Sequence, residues 1–368
     1  MGEVVAVVGG GYAGTLVAKE LDGDAQVVLV DPRDTFVNVA GSLRALARPD
    51  WAHHVFFPYR ALLARGRVLR DLAASVDAGG VTLAGGGRLD ADYLVLATGS
   101  SYSYPARPRQ AATSAAQALA ELRATHDQLA RAERVLILGA GPVGLELAGE
   151  IREAWPHKGI VVVDPAAEIL PGFLPEVRRE LRRQLDALGI ELRLGTALDG
   201  LPPFEDGTAG TFTVSTTGGE KITADIWFRS FGARVNTGYL ADGKLVALTD
   251  RATVPVDEHL AVRGHRHVYA VGDIADLPDA KMATHAQTQA LVVVENVRAQ
   301  LRGEPPRSGY QPARTRRILL PLGTRGGVGQ MPDQDGLPVA APLDTVIRRK
   351  GTDLFTARFA ERFGHQVE

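Results

Sequence analysis

Short apolar runs, each closed by a glycine cluster and followed by a stretch with helical character, recur along the chain. Val4-Val5-Ala6-Val7-Val8 breaks into Gly9-Gly10-Gly11-Tyr12-Ala13-Gly14, and a helix is predicted from there to about Leu21. A second strand, Val27-Val28-Leu29-Val30, ends on Asp31. The same order returns later. Val135-Leu136-Ile137-Leu138 breaks into Gly139-Ala140-Gly141-Pro142-Val143-Gly144, a helix follows to about Trp155, and the strand Ile160-Val161-Val162-Val163 ends on Asp164. Each copy also closes alike, with Tyr93-Leu94-Val95-Leu96-Ala97-Thr98-Gly99 in the first and Ile226-Trp227-Phe228-Arg229-Ser230-Phe231-Gly232 in the second. Short strand-like pieces between Gly-rich turns, Val81–Leu83 and Thr211–Val214, predict a small antiparallel meander inside each copy.

Strand, G-x-G-x-x-G, helix, strand, acid is an order with a specific physical content. The first glycine makes the tight turn, the second lets a pyrophosphate approach the backbone, and the third packs helix on strand. The helix N-terminus faces the phosphates and the acid accepts hydrogen bonds from a ribose. One such motif is a weak signal. Two, each correctly framed, predict an α/β chain with two Rossmann-like dinucleotide-binding domains, whose contacts would be Gly9, Gly11, Gly14 and Asp31 in one and Gly139, Gly141, Gly144, Asp164 and Gly232 in the other. Two dinucleotides on one chain imply electron transfer between them.

Composition narrows the chemistry. The 368 residues carry 41 basic and 43 acidic side chains, a net charge of −2 that leaves no electrostatic footprint for nucleic acid. There is no cysteine, which removes disulfides, thiolate metal sites and any mechanism using a redox-active cysteine pair. The N-terminus has no signal-peptide pattern, Ala6 stands where a myristoylation motif wants Ser or Thr, and no apolar run approaches the ~20 residues of a membrane span. A cytoplasmic protein is expected, with at most a peripheral contact at the inner face of a membrane. Abundant Ala, Arg, Gly and Leu fit a GC-rich bacterial genome.

A third segment separates the two sites. The strand Val268-Tyr269-Ala270-Val271 ends on Gly272-Asp273, and Lys281-Met282-Ala283-Thr284-His285 opens a helix to about Arg302. Together with Val30-Asp31-Pro32-Arg33-Asp34-Thr35-Phe36, Asn38-Val39-Ala40, Leu43-Arg44-Ala45 and the tail runs Gly327-Val328-Gly329-Gln330 and Asp353-Leu354-Phe355, this resembles the apoptosis-inducing-factor-homologous, or ferroptosis suppressor, family, related to type II NADH dehydrogenases. The resemblance covers essentially the whole chain. It implies an FAD-dependent NAD(P)H:quinone oxidoreductase, with FAD bound by about 1–105 and 240–310, the nicotinamide nucleotide by about 106–239, and a small α+β C-terminal domain over 311–368 capping the acceptor site. It further implies that Arg44 lies near the flavin nucleotide, that Val68 offers a backbone contact to adenine, and that Thr98, Gly99, Asp273 and Met282 complete the FAD site. The chain departs from the animal branch in lacking the myristoylation signal.

Alignment of the two copies on Gly14 and Gly144 is an internal control. Glu150 then corresponds to Glu20, so a shared structural role is expected for both, whereas Glu146 corresponds to Leu16. A carboxylate in place of an apolar residue points to the nicotinamide–flavin contact, a surface salt bridge being the competing reading. Lys350 and Phe355 fall where the family's tail approaches the flavin, so Glu146, Lys350 and Phe355 are the candidate catalytic residues. Phe355, Phe359 and Phe363 recur every four residues, the spacing of a buried helical face, or else of a greasy acceptor pocket. The runs Ile318-Leu319-Leu320 and Asp344-Thr345-Val346-Ile347 predict a small sheet on the flavin's free face, with Gly326-Gly327-Val328-Gly329 allowing backbone close to a quinone. His53-His54 and His265-Arg266-His267 lack metal-site spacing and read as surface or turn residues, and no metal is expected. His285 is a lesser site candidate. NADH is expected over NADPH because Pro165-Ala166-Ala167 offers no cation for a 2′-phosphate. A small-molecule quinone is the expected acceptor, a homodimer is compatible, and the alternatives are a reductase of a ferredoxin-like protein and a redox-sensing binding protein.

Overall fold

A computed structural model describes residues 2–364. The chain is α/β, as its patterning predicts. One parallel sheet takes its strands in the order Val268–Ala270, Tyr93–Leu96, Val4–Val8, Gln26–Val30, Arg67–Leu69. A second takes Ile190–Leu194, Gly159–Asp164, Arg134–Leu138, Ile226–Arg229. Val4–Val8 and Arg134–Leu138, the strands that feed the glycine loops, lie inside their sheets and are buried on both faces, which is why they read as unbroken apolar runs. The strand Val268–Ala270 joins the first sheet only after the second is complete, so one unit is nested within the other.

Helices Tyr12–Leu21 and Ala283–Leu301 pack together against the first sheet. Pro142–Ala154 opens the second unit with Pro at its first turn, where no intrahelical N–H is lost. Ser114 and Gln117 form a capping box on helix Ala115–Arg131, the connection between the units. The expected meanders are three strands in the first unit, Ala73–Asp77, Gly80–Leu83 and Arg88–Asp90, and a two-stranded hairpin, Phe212–Ser215 with Lys221–Ala224, in the second.

The C-terminal stretch differs from expectation in two ways; its last four residues lie outside the described ones. Its sheet pairs Ile318–Leu322, Gly326–Pro332 and Pro338–Ala340, whereas residues 344–347 are helical, continuing from Leu343–Val346 into a π-helical turn, Ile347–Gly351. The sheet covers helices Pro142–Ala154 and Pro175–Ala187, and Ile318, Leu320, Leu322 and Val328 join the apolar cluster of the second unit. The glycines serve that packing: a Cβ on Gly327 would stand 2.3 Å from Leu320 O, and one on Gly329 2.9 Å from Leu319 Cδ2 and Ala341 Cβ. The chain then turns back, and the helix Thr356–Arg362 drives Phe359 and Phe363 into the core of the first unit against Phe36 and Phe57. The tail therefore has no hydrophobic cluster of its own among the described residues; its two halves complete the cores of the two units. No described helix is long and apolar enough to cross a membrane.

Candidate functional site

The two glycine loops are built alike down to single atoms. Gly9 has φ +103°, and a Cβ there would lie 2.6 Å from Ala97 O; one on Gly14 would lie 1.8 Å from Gly9 O. In the second unit Gly139 has φ +111° and a Cβ on Gly144 would lie 2.0 Å from Gly139 O. These glycines are demanded by the protein's own packing. Gly11 and Gly141 are not: a Cβ on either would meet nothing within 4 Å. A glycine that the protein does not need, at the N-terminus of a helix, leaves a cradle of backbone amides for something else, and a pyrophosphate fits its shape and charge.

Each acid at the end of the second strand pins its loop. Asp31 accepts hydrogen bonds from Gly10 N at 2.7 Å and Arg33 N at 2.9 Å, and Asp164 from Ala140 N and Ala166 N, both at 2.7 Å. Burial raises the Asp31 carboxyl above the usual range, against the pull of those two amides and of Arg33 and Arg107. Val68 lies opposite Leu29 in the edge strand, one residue before Leu69, whose carbonyl receives Asp31 N. Thr98 and Gly99 stand where the chain leaves the first sheet. Thr98 Oγ1 donates to Asn236 O at 2.7 Å, and Ser100–Ser101 pairs with Arg234–Val235, so the two crossings between units run as one ribbon just past Gly232. The Asp273 carboxylate accepts a hydrogen bond from Ser100 Oγ, and Met282 is the N-cap of helix Ala283–Leu301, whose N-terminus faces the same region. His285 is buried beside Asp279, 3.5 Å away, and burial lowers its pKa. His53, His265 and His267 hydrogen-bond to backbone carbonyls.

Two of the three candidate catalytic residues, Glu146 and Lys350, meet where the second unit joins the tail, and Phe355 packs against the core of the first unit. Lys350 Nζ donates to Glu146 Oε1 at 2.6 Å and to Leu319 O at 3.2 Å; the side chains are 16 % and 10 % exposed, so this is not a surface salt bridge. Burial raises the Glu146 carboxyl, Lys350 pulls it back, and Glu150 raises it again. Phe355 stands five residues on, in the turn between the π-helical segment and helix Thr356–Arg362. Leu354 and Phe355 both have positive φ, 51° and 66°, a conformation that ordinary residues adopt only when the surroundings impose it. What imposes it is visible: Asn38 Nδ2 donates to Leu354 O at 2.8 Å, Arg44 Nη1 to Thr352 O at 2.9 Å, and the Asp353 carboxylate receives Phe355 N and Ala357 N. Asn38 also receives the Tyr12 phenol at 3.0 Å, and Tyr12 follows Gly11 directly. Burial pushes Tyr12 up to about 12, so its phenol stays protonated, and the Glu146 charge contributes to that rise. The pair Glu146–Lys350 thus lies within electrostatic reach of the first glycine loop, although Glu146 belongs to the second unit.

Arg44 is deeply buried, and each of its three nitrogens is engaged by protein: Nε and Nη2 by Glu150, Nη1 by Thr352 O. Glu150 consequently differs from its counterpart, correcting the expectation of a shared role. Glu20 meets Arg298 near the surface, whereas Glu150 is buried and ties the units together. Tyr12, Asn38, Arg48 with Glu153, and Arg362 were invisible in the sequence as site or interface residues. Arg362 donates to Tyr12 O, Thr15 Oγ1 and Gln287 Oε1, fastening the last helix to the first. Tyr12 falls within the first glycine run and Asn38 within the run that carries the family resemblance, but neither position announces a role.

Residues 3–290 match the family model for pyridine nucleotide-disulphide oxidoreductases, across both glycine loops and the Gly272-Asp273 segment. The chain belongs to that family. It is an FAD-dependent oxidoreductase that uses a nicotinamide nucleotide, and having no cysteine it does so without the disulphide of the family's name. It is 30 % identical over 374 residues to ferroptosis suppressor protein 1 of Taeniopygia guttata, covering 99 % of this chain and 96 % of that one. The human protein of the same name is 28 % identical over 335 residues, 89 % of this chain and 88 % of its own. The sulfide:quinone oxidoreductase of Aquifex aeolicus superposes with a TM-score of 0.75 over 99 % of this chain and 92 % of that one at 17 % identity, a likeness of fold. The resemblance read from the sequence is borne out along nearly the whole chain.

Proposed function

We propose that the enzyme carries FAD in the cradle of Gly9–Gly14, takes hydride from NADH held by Gly139–Gly144, and reduces a small quinone at the Glu146–Lys350–Phe355 junction. The single observation that carries this reading is the buried Glu146–Lys350 pair, which joins the second unit to the tail within reach of the first glycine loop. FAD bound in the first cradle would supply the two-electron chemistry between the nicotinamide and the acceptor. The protein's own part is positional. Lys350 Nζ, held by Glu146 and Leu319 O, presents an N–H to an acceptor oxygen gaining negative charge. Overall, NADH, one proton and a quinone give NAD+ and a quinol, so one proton is needed beyond the hydride, and the Glu146 carboxyl, raised by burial and held beside the Lys350 ammonium, is placed to relay it from solvent. Phe355 supplies a flat apolar surface at the same turn.

Support for a quinone rather than a protein acceptor is the scale of this junction, a buried ion pair and one ring. Stopped-flow measurement of the two half-reactions tests it. Lys350→Ala and Phe355→Ala should leave flavin reduction by NADH near normal while slowing reoxidation by a soluble quinone analogue at least ~tenfold, about 1.4 kcal/mol of barrier. Unchanged reoxidation in both variants refutes the acceptor site.

A further inference from the structure

Among the described residues Arg107 is a cation without an anion. Its Nε is buried with no hydrogen-bond partner, its terminal nitrogens pair with nothing among the described residues, and its one protein contact of note is the Tyr102 ring, 5.5 Å from the guanidinium carbon. Its neighbours on the connection between units are not so placed: Arg109 pairs with Glu121, Glu205 and Asp206. The segment is held down by Arg33, whose Nη2 reaches Pro108 O and Arg109 O. The Arg107 charge acts on the Tyr12 phenol, the Asp31 carboxylate and Tyr102, and Asp273 acts on Tyr102 as well. Tyr12 follows Gly11, and Asp31 holds Gly10 N. Arg33 N also donates to Asp31, so the segment carrying the unpaired guanidinium is tied through Arg33 and Asp31 to the first glycine loop, beside Gly11.

We propose that Arg107 grips the diphosphate of the dinucleotide in the first cradle, as a cofactor-binding residue outside the glycine fingerprint. The inference rests on FAD occupying that cradle. A helix N-terminus contributes about half an elementary charge, against two on a diphosphate, so the cradle amides leave most of that charge unanswered. A guanidinium offers five N–H donors in a planar fork suited to two phosphate oxygens, and a half-buried cation lacking an anion is costly until one arrives.

The test is the rate at which holoenzyme releases FAD on dilution, read as the rise of free flavin fluorescence, for wild type, Arg107→Gln and Arg107→Lys at low and high salt. Release should be at least tenfold faster in Arg107→Gln and intermediate in Arg107→Lys. Added salt should speed release from wild type and have much less effect on Arg107→Gln, a readout that a merely structural arginine would not move. Release within twofold of wild type in Arg107→Gln, or an undiminished salt effect, overturns the role. Should Arg107→Gln purify without flavin, wild-type apoprotein and the variant are titrated with FAD and with riboflavin, which lacks phosphate. Loss confined to FAD supports the grip, and equal loss of both overturns it. A wild type that holds no FAD overturns the cofactor assignment together with this role, whereas FAD-loaded wild type with release indifferent to Arg107 overturns this role alone.

Discussion

At Glu146 a carboxylate stands two residues beyond the last glycine of its loop, where the first unit has Leu16. The substitution places an ionisable group on the side of the helix that meets the tail, and Lys350 answers it at 2.6 Å. If the pair serves the reaction, Glu146→Gln should lower turnover at least ~tenfold, about 1.4 kcal/mol, with flavin content unchanged; an unaltered kcat returns the pair to a purely structural role. Glu150→Gln is not a silent control, because it would leave Arg44 buried with half its partner. The exposed Glu176, in the first turn of helix Pro175–Ala187, is a better one. Asp164 sets the second test at this scale. Its carboxylate is fixed by Ala140 N and Ala166 N beside the expected ribose position, so a 2′-phosphate brought to ~4 Å meets repulsion of roughly 1–4 kcal/mol. NADH should be favoured over NADPH in kcat/KM by at least tenfold, and equal values would refute the assignment. Glu146 was legible because the duplication supplied its own reference. Its pairing with Lys350 was not, since 204 residues separate them and no local pattern encodes a contact made by folding. Arg107, in a connection without a motif, offered no signal at all.

Helix Pro142–Ala154 is the element on which the rest converges. It presents Gly144 to its own loop, Glu146 to Lys350, Gly149 to the tail strand, Glu150 to Arg44, and Glu153 to Arg48 and Thr324. Gly149 decides a sign. In a helix interior Gly→Ala ordinarily gains up to ~1 kcal/mol, but here a Cβ would stand 2.7 Å from Leu322 Cα and 2.9 Å from Gly323 N. Both are backbone, which yields only by moving the strand, at a cost of roughly 1–3 kcal/mol. Gly149→Ala should therefore lower the melting temperature; a rise would mean that the strand shifts freely. Strand and helix positions in both units were readable because buried parallel strands leave continuous apolar runs. The segment 344–347 was misread for a related reason. Four residues of mixed polarity fit either period, and only the turn that follows, closed by Lys350, makes them helical.

Across the whole molecule, acid should loosen the periphery first. Hydrogen bonds from Arg134 hold Asp225, from Arg88 hold Asp77 and from Arg183 hold Glu180, each carboxyl lowered to about 2. A depressed carboxyl contributes stability that is present above its unfolded value, near 4, and is lost as pH falls toward 2. Urea midpoints should drop between pH 5 and pH 3, and Asp225→Asn should show a smaller drop than wild type. An identical drop would remove Asp225 from the account. The division into two nucleotide units was plain from the duplication, but the tail's service to both was hidden, since every-fourth phenylalanines announce a buried face without saying in which unit it is buried. That placement has a consequence for synthesis. Phe359 and Phe363, which fill the core around Phe36 and Phe57, leave the ribosome some 300 residues after them. The nascent first unit must wait for them with Phe36 uncovered, so the unit whose first strand is made early is completed only after the second unit has been translated, and a ribosome stalled before Thr356 would present an unfilled apolar cavity to the chaperones of the cell.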